Sequence, residues 1–157
     1  VAFRPHLVRY IQDSKTNQLQ TLPSEVLYSL NFKPANLALV KNALIDVTGP
    51  GGTAARAGAN SPYPIAGKTG TAQVIALKQN EKYVENRVDE RQRDHALFIA
   101  YAPADNPQIA LAVLVENGGH GSATAAPLAR QVLDFYLLGK RPQNALPAPN
   151  KKQEAND

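Results

Sequence analysis

Groups able to do polar chemistry are gathered in one short stretch, Gly67-Lys68-Thr69-Gly70-Thr71-Ala72-Gln73-Val74. A lysine and two threonines are interleaved with glycines there and lead into the apolar run Val74-Ile75-Ala76-Leu77. Alternation followed by β-branched residues predicts a strand over 67–77 with Lys68 and the threonine hydroxyls lining one face. The glycines flanking Lys68 and Thr69 remove bulk, so a second backbone can lie close against the strand. An extended peptide can add to such an edge, where an ammonium and hydroxyls await a carboxylate. The stretch reads as a substrate-binding strand.

Other chemistries fit less well. A phosphate-binding loop also ends in Gly-Lys-Thr, but it needs a glycine where Pro62 stands and a helix after the threonine. The net charge of +4 is mild and its basic residues are scattered, with no aromatic-interleaved basic patch, so no nucleic acid is expected as a partner. The chain has no cysteine, which excludes a disulfide scaffold and a thiolate metal site and leaves the redox compartment open. His6 and His95 lack ligand spacing, so neither a metal nor any other cofactor is expected.

These residues need elements to position them. Segments 5–12 and 17–22 predict a hairpin turning at Asp13-Ser14-Lys15-Thr16. A helix is expected over 34–48, opened by Pro34 and stopped by Gly49-Pro50-Gly51-Gly52, with Leu37, Val40, Leu44 and Val47 on one face. Residues 53–64 form a loop into the Lys68 strand. The 78–94 stretch mixes both charge signs and has too few apolar residues to bury a face; it reads as a solvated connection, or as a lid or partner-docking loop beside the site. Strands at 95–101 and 108–116 turn at Ala104-Asp105-Asn106-Pro107, and the nearly unbroken apolar run of the second suggests burial on both faces. After the loop Asn117-Gly118-Gly119-His120-Gly121 a last helix is expected to run to 138, capped by Thr124, with Leu128, Val132, Phe135 and Tyr136 on its apolar side. From 140 to 157 Pro, Asn, Lys and Ala dominate, as in a disordered tail. The sum is an α+β arrangement, an antiparallel sheet with helices packed on it.

With these elements in place, residues 1–139 resemble the C-terminal part of a class B penicillin-binding protein transpeptidase. Gly67-Lys68-Thr69-Gly70-Thr71-Ala72-Gln73 matches the third active-site motif of that family. Arg93-Asp94-His95-Ala96, Tyr101-Ala102-Pro103 with Asn106-Pro107, Glu116-Asn117-Gly118-Gly119-His120-Gly121 and Ala125-Ala126-Pro127 resemble the elongation-type branch, penicillin-binding protein 2. The resemblance implies a penicillin-binding/β-lactamase-like transpeptidase fold and cross-linking of peptidoglycan stem peptides through a serine acyl-enzyme. It implies trapping by β-lactams, a membrane glycosyltransferase of the elongation machinery as partner, and work at the periplasmic face of the inner membrane. The anchor would be an N-terminal segment outside this chain, which begins at Val1 and reads as an incomplete piece.

By the same resemblance Lys68 and Thr71 are catalytic, Lys68 as positive potential and Thr71 through a backbone N–H in the oxyanion hole. Thr69, Gly70 and Thr71 would bind substrate. His120 would at most help shape the site, since no acid is placed to orient it as a base. The family's Ser-x-x-Lys nucleophile motif is absent: Ser14, Ser24, Ser29, Ser61 and Ser122 are followed at the third position by Asn17, Leu27, Phe32, Pro64 and Ala125. Ser29-Leu30-Asn31 spells the second motif but falls in the wrong part of the order, and is read as structural. The chain alone is therefore expected to be inactive. The alternative is a β-lactam-binding sensor or pseudoenzyme of the same fold.

Overall fold

The computed structural model describes residues 1–75 and 88–142. The chain divides into two compact units, Val1–Ala38 and Leu39–Asp157. In the first, β1 (Ala2–Phe3) pairs antiparallel with β4 (Val26–Tyr28), and β2 (Tyr10–Gln12) with β3 (Leu19–Thr21). The expected hairpin is present but pairs only three residues on each side. Its turn is closed by the Asp13 carboxylate, which accepts the backbone N–H groups of Lys15 and Thr16, both at 2.8 Å. Those two bonds hold the Asp13 carboxyl below its ordinary range. The pairing of β1 with β4 was not expected, because elements of two or three residues have no period to read.

Helix α1 (Pro34–Asp46) starts at the proline and ends two residues short of the expected boundary. Just beyond its end, the Thr48 hydroxyl donates to the Ile65 carbonyl at 2.6 Å, which draws the chain toward the next strand. None of α1's own residues is buried: Leu37 and Val40 of the expected face are exposed, Leu44 is half-buried, and Val47 just past the helix packs against the core. A one-turn helix, α2 (Ala55–Gly58), interrupts the expected 53–64 loop.

The main sheet has the order β5-β6-β7, all antiparallel, with β5 at Ala66–Ala72, β6 at His95–Ala102 and β7 at Ile109–Val115. β5 ends at Ala72 rather than continuing to 77, and 76–87 lie outside the described residues, as does most of the expected charged connection. The last part of that connection is a 3-10 turn at Glu90–Gln92, where Asp89 accepts the Arg91 N–H. The 143–157 part of the expected tail also lies outside the described residues.

Register places Ala96, Phe98, Ala100 and Ala102 opposite Val115, Val113, Leu111 and Ile109 on one face. That face is the core, with Phe98 1% exposed. The expectation that β7 is buried on both faces is corrected: Ile109, Leu111, Val113 and Val115 turn inward, while Ala110, Ala112 and Leu114 are exposed. α3 (Ala125–Leu138) packs on β6 and β7 and covers a single face. On the other face Leu44 of α1, Ala66, Ile99, Tyr101 and Ala110 border an open apolar hollow of ≈ 210 Å³.

α3 corrects a second expectation. Its buried residues are Ala125, Ala126, Ala129 and Leu133, whereas Leu128, Val132, Phe135 and Tyr136 are exposed. Ala125, Ala126, Ala129 and Leu133 make the face that meets the sheet, and the larger apolar residues fall on the helix's other side. Thr124 stands at the N-cap but makes no side-chain cap; its hydroxyl donates instead to Gly118 O at 2.7 Å. The helix ends at Gly139, whose φ of 68° is the left-handed conformation that closes helix C-termini. The architecture is α+β, as expected.

Candidate active site

β5 is an edge strand whose register against β6 pairs Lys68 with Ile99, Thr69 with Phe98, Gly70 with Leu97 and Thr71 with Ala96. Because successive residues of a strand point to opposite faces, Lys68 does not share a face with the threonines. Thr69 and Thr71 lie on the Phe98 face and Lys68 on the Ile99 face, which corrects the single polar face expected from the alternation. The Lys68 ammonium is exposed and folds along the strand to donate to the Thr69 carbonyl at 2.7 Å.

One glycine of the motif and one of the 117–121 loop are needed for packing. A Cβ on Gly67 would come 2.6 Å from the Phe98 ring, so the core ring lies across this position. A Cβ on Gly121 would come 2.2 Å from Leu97 O and 2.5 Å from Gly70 O. The 117–121 loop therefore sits directly on the backbone of the Gly70–Leu97 pair. His120, next to that contact, is exposed, and its carbonyl accepts the N–H groups of Ala123 and Thr124. The loop is held by the Asn117 N–H donating to His95 Nδ1 at 2.9 Å and by Gly119 N–H donating to Asp94 O at 2.8 Å. The structure thus brings the loop of His120 and the strand of Lys68, Thr69, Gly70 and Thr71 together. Ser29 and Asn31 lie instead in the 1–38 unit, as exposed residues after β4.

The segment entering β5 carries contacts that the sequence reading missed. Arg130 of α3 donates to the carbonyls of Ala57 at 2.8 Å and Ala59 at 3.1 Å, and to the Asp134 carboxylate at 2.9 Å. Tyr63 donates to the same carboxylate at 2.5 Å. Burial raises the Asp134 pKa, but the bonds from Tyr63 and Arg130 outweigh it and leave the carboxyl below its ordinary range. Burial, followed by the neighbouring carboxylate, pushes the Tyr63 phenol upward. The i,i+4 spacing of Arg130 and Asp134 was a readable signal for their ion pair; nothing local pointed to Tyr63 or to the carbonyls. Thr53 was also missed: its hydroxyl lies 3.5 Å from the Thr69 hydroxyl.

Residues 1–134 match the penicillin binding protein transpeptidase domain. The chain belongs to that family. Peptidoglycan D,D-transpeptidase MrdA of Haemophilus influenzae is 42% identical over 142 residues, covering 88% of this chain and 21% of that protein. MrdA of Escherichia coli K12 is 48% identical over 113 residues, covering 71% of this chain and 18% of the relative. The crystal structure of Pseudomonas aeruginosa PBP2 in complex with WCK 5153 superposes with a TM-score of 0.56 at 42% identity, over 83% of this chain and 25% of that one. PBP2 in complex with MreC from Helicobacter pylori superposes at 0.57 with 27% identity, over 80% of this chain and 21% of that one. The chain thus spans about a fifth of the length of the curated relatives it matches. The relatives' names agree with the elongation-type resemblance seen in the sequence.

Proposed function

We propose that this chain is the part of a peptidoglycan D,D-transpeptidase that supplies the substrate strand and not the nucleophile. The observation that carries the reading is β5 itself, an edge strand with the complete Gly67–Thr71 motif, roofed at Gly70 by the 117–121 loop. On this reading an extended stem peptide lies along the β5 edge, where strand addition supplies main-chain hydrogen bonds. Lys68 contributes positive potential to the deprotonated nucleophile and the substrate carboxylate. Thr69 and Thr71 offer hydroxyls to that carboxylate. The Thr71 N–H serves as one oxyanion donor, typically worth about 3 kcal/mol in the transition state. His120 borders the site without acting as a base.

The nucleophile would come from the longer protein, as would the membrane anchor that places the domain at the periplasmic face of the inner membrane. Residues 1–139 would then be an incomplete transpeptidase segment, and 140–157 a tail. The relatives are named peptidoglycan D,D-transpeptidases, which supports stem peptides as substrates and β-lactams as trapping ligands. An elongation-type glycosyltransferase would be its membrane partner.

Two measurements test the reading. Incubated alone with a fluorescent penicillin, this chain should carry no covalent label by mass spectrometry, since none of its serines heads a Ser-x-x-Lys motif. Stoichiometric labelling at any of them would overturn the absence of a nucleophile. In the intact transpeptidase, Lys68→Ala should slow acylation far more than Lys78→Ala. Equal rates for Lys68→Ala and wild type would remove Lys68 from the catalytic machinery, and labelling without turnover on stem peptides would favour a sensor.

A further inference from the structure

We propose that Thr53 is a positioning residue for the substrate carboxylate, acting through the hydroxyl of Thr69. The inference rests on the reading of β5 as the substrate strand and assigns a role to a residue outside the motif. The Thr53 and Thr69 hydroxyls lie 3.5 Å apart, and either can donate. Among the described residues this long contact is the Thr69 hydroxyl's one hydrogen-bond partner, so Thr53 is the group placed to orient it.

The backbone around Thr53 is built to hold that position. Gly52 lies against the end of α1, where a Cβ would come 2.1 Å from Asp46 O. On the other side Ala54 is 2% exposed and donates its N–H to Val47 O at 2.8 Å. Thr53 is thus an exposed side chain between two locked neighbours. The far end of the segment is fixed as well, by Arg130 on the carbonyls of Ala57 and Ala59. Thr48 reaches across to Ile65, the residue just before β5, so Thr53 and Thr69 hang from one scaffold.

Chemistry chooses the direction of the bond. A carboxylate only accepts, so the Thr69 hydroxyl serves it by donating. Thr69 then has lone pairs left to accept from Thr53. The chain Thr53 to Thr69 to carboxylate polarises each bond in the same sense and strengthens the one that reaches the substrate. Valine at 53 would keep the shape but leave the Thr69 hydroxyl free to rotate.

The test compares acylation of the intact transpeptidase by a fluorescent penicillin with a free carboxylate and by its methyl ester. Thr53→Val should reduce the preference for the free acid about fivefold, the effect of one neutral hydrogen bond. The change should appear in the concentration for half-maximal rate more than in the limiting rate. Thr53→Ser, which restores the hydroxyl, should retain the preference within about twofold. An unchanged preference in Thr53→Val overturns the proposal. So does an equal loss toward acid and ester, which would mark a merely structural role. Thr69→Val separates the two layers of argument: if it loses the preference while Thr53→Val keeps it, Thr53 alone is wrong. If Thr69→Val keeps the preference, the carboxylate role of Thr69 falls and the role of Thr53 with it, while β5 can still bind substrate through Lys68 and Thr71.

Discussion

The two units of this chain use the same backbone pairing and reach opposite results. Residues 1–38 contain four strands of two or three residues, and none of their side chains is buried. Phe3, Tyr10, Ile11, Leu19 and Val26 are all exposed. What shapes this unit is local polar chemistry: the Asp13 turn and the Arg4–Glu25 ion pair, which is exposed on both sides and contributes little. Two-stranded ribbons of this kind are marginal on their own. From Leu39 onward, three longer strands bury Phe98, Ile65 and the three alanines of β6 beneath α3. Pairing specifies which residues are opposite each other; burial beneath a helix supplies the stability. The chemistry-bearing strand belongs to the unit that has both.

The contrast can be broken from the core outward. Phe98→Ala should remove the cooperative melt of the second unit, because deleting a buried phenylalanine costs about 3–5 kcal/mol. Ile11→Ala in the first unit should shift the same calorimetric transition by no more than about 0.5 kcal/mol. If the two variants melt alike, the core has been misplaced.

Gly121→Ala ranks next, at about 1–3 kcal/mol, since the new methyl would drive into the backbone of the Gly70–Leu97 pair. Because the loop must lift from β5, penicillin acylation of the intact protein should fall together with the melting temperature. A variant that keeps both values would show that the loop does not rest on the strand.

Asp134→Asn should cost about 1.5 kcal/mol by weakening the charged bonds from Tyr63 and Arg130. A carboxyl held below its ordinary range stabilises the fold above its unfolded pKa of about 3.9 and loses that contribution as pH falls through its lowered folded value. The gap in melting temperature between wild type and Asp134→Asn should therefore close on acidification below pH ~4 and stay open at neutral pH. A gap that persists at acid pH would mean the contact does not depend on charge.

The smallest effect is expected from Asp13→Ala. The global melt should be unchanged, while hydrogen exchange at the Lys15 and Thr16 amides should accelerate, because their acceptor is lost. A shift of the main transition would overturn the purely local role of this turn.

Short-range signals were enough for much of this fold. Pro34 and the Gly49–Gly52 run bracket α1 to within two residues, and the turn at Ala104–Pro107 between two apolar runs announces β6 and β7. The motif from Gly67 to Thr71 was legible as a strand because Thr69 and Thr71 fall two apart and lead into a β-branched run. The burial of α3 was not legible. Its large apolar residues suggested one face, yet the sheet takes the face of Ala125, Ala126, Ala129 and Leu133. β1 and β4 of the first unit escaped notice for a simpler reason, being too short to carry a pattern.

Strand identity, the hairpin of β6 with β7, the family resemblance and the lack of a Ser-x-x-Lys serine were all decided by residue type and spacing within a few positions. The tertiary structure alone decided that Lys68 and the threonines occupy opposite faces in register with β6, and that Gly121 presses on Gly70. It alone placed Thr53 beside Thr69, 16 positions away, and Arg130 on Ala57, 73 positions away. Contacts of that separation depend on how whole elements pack, and no local propensity encodes where a distant backbone carbonyl will lie.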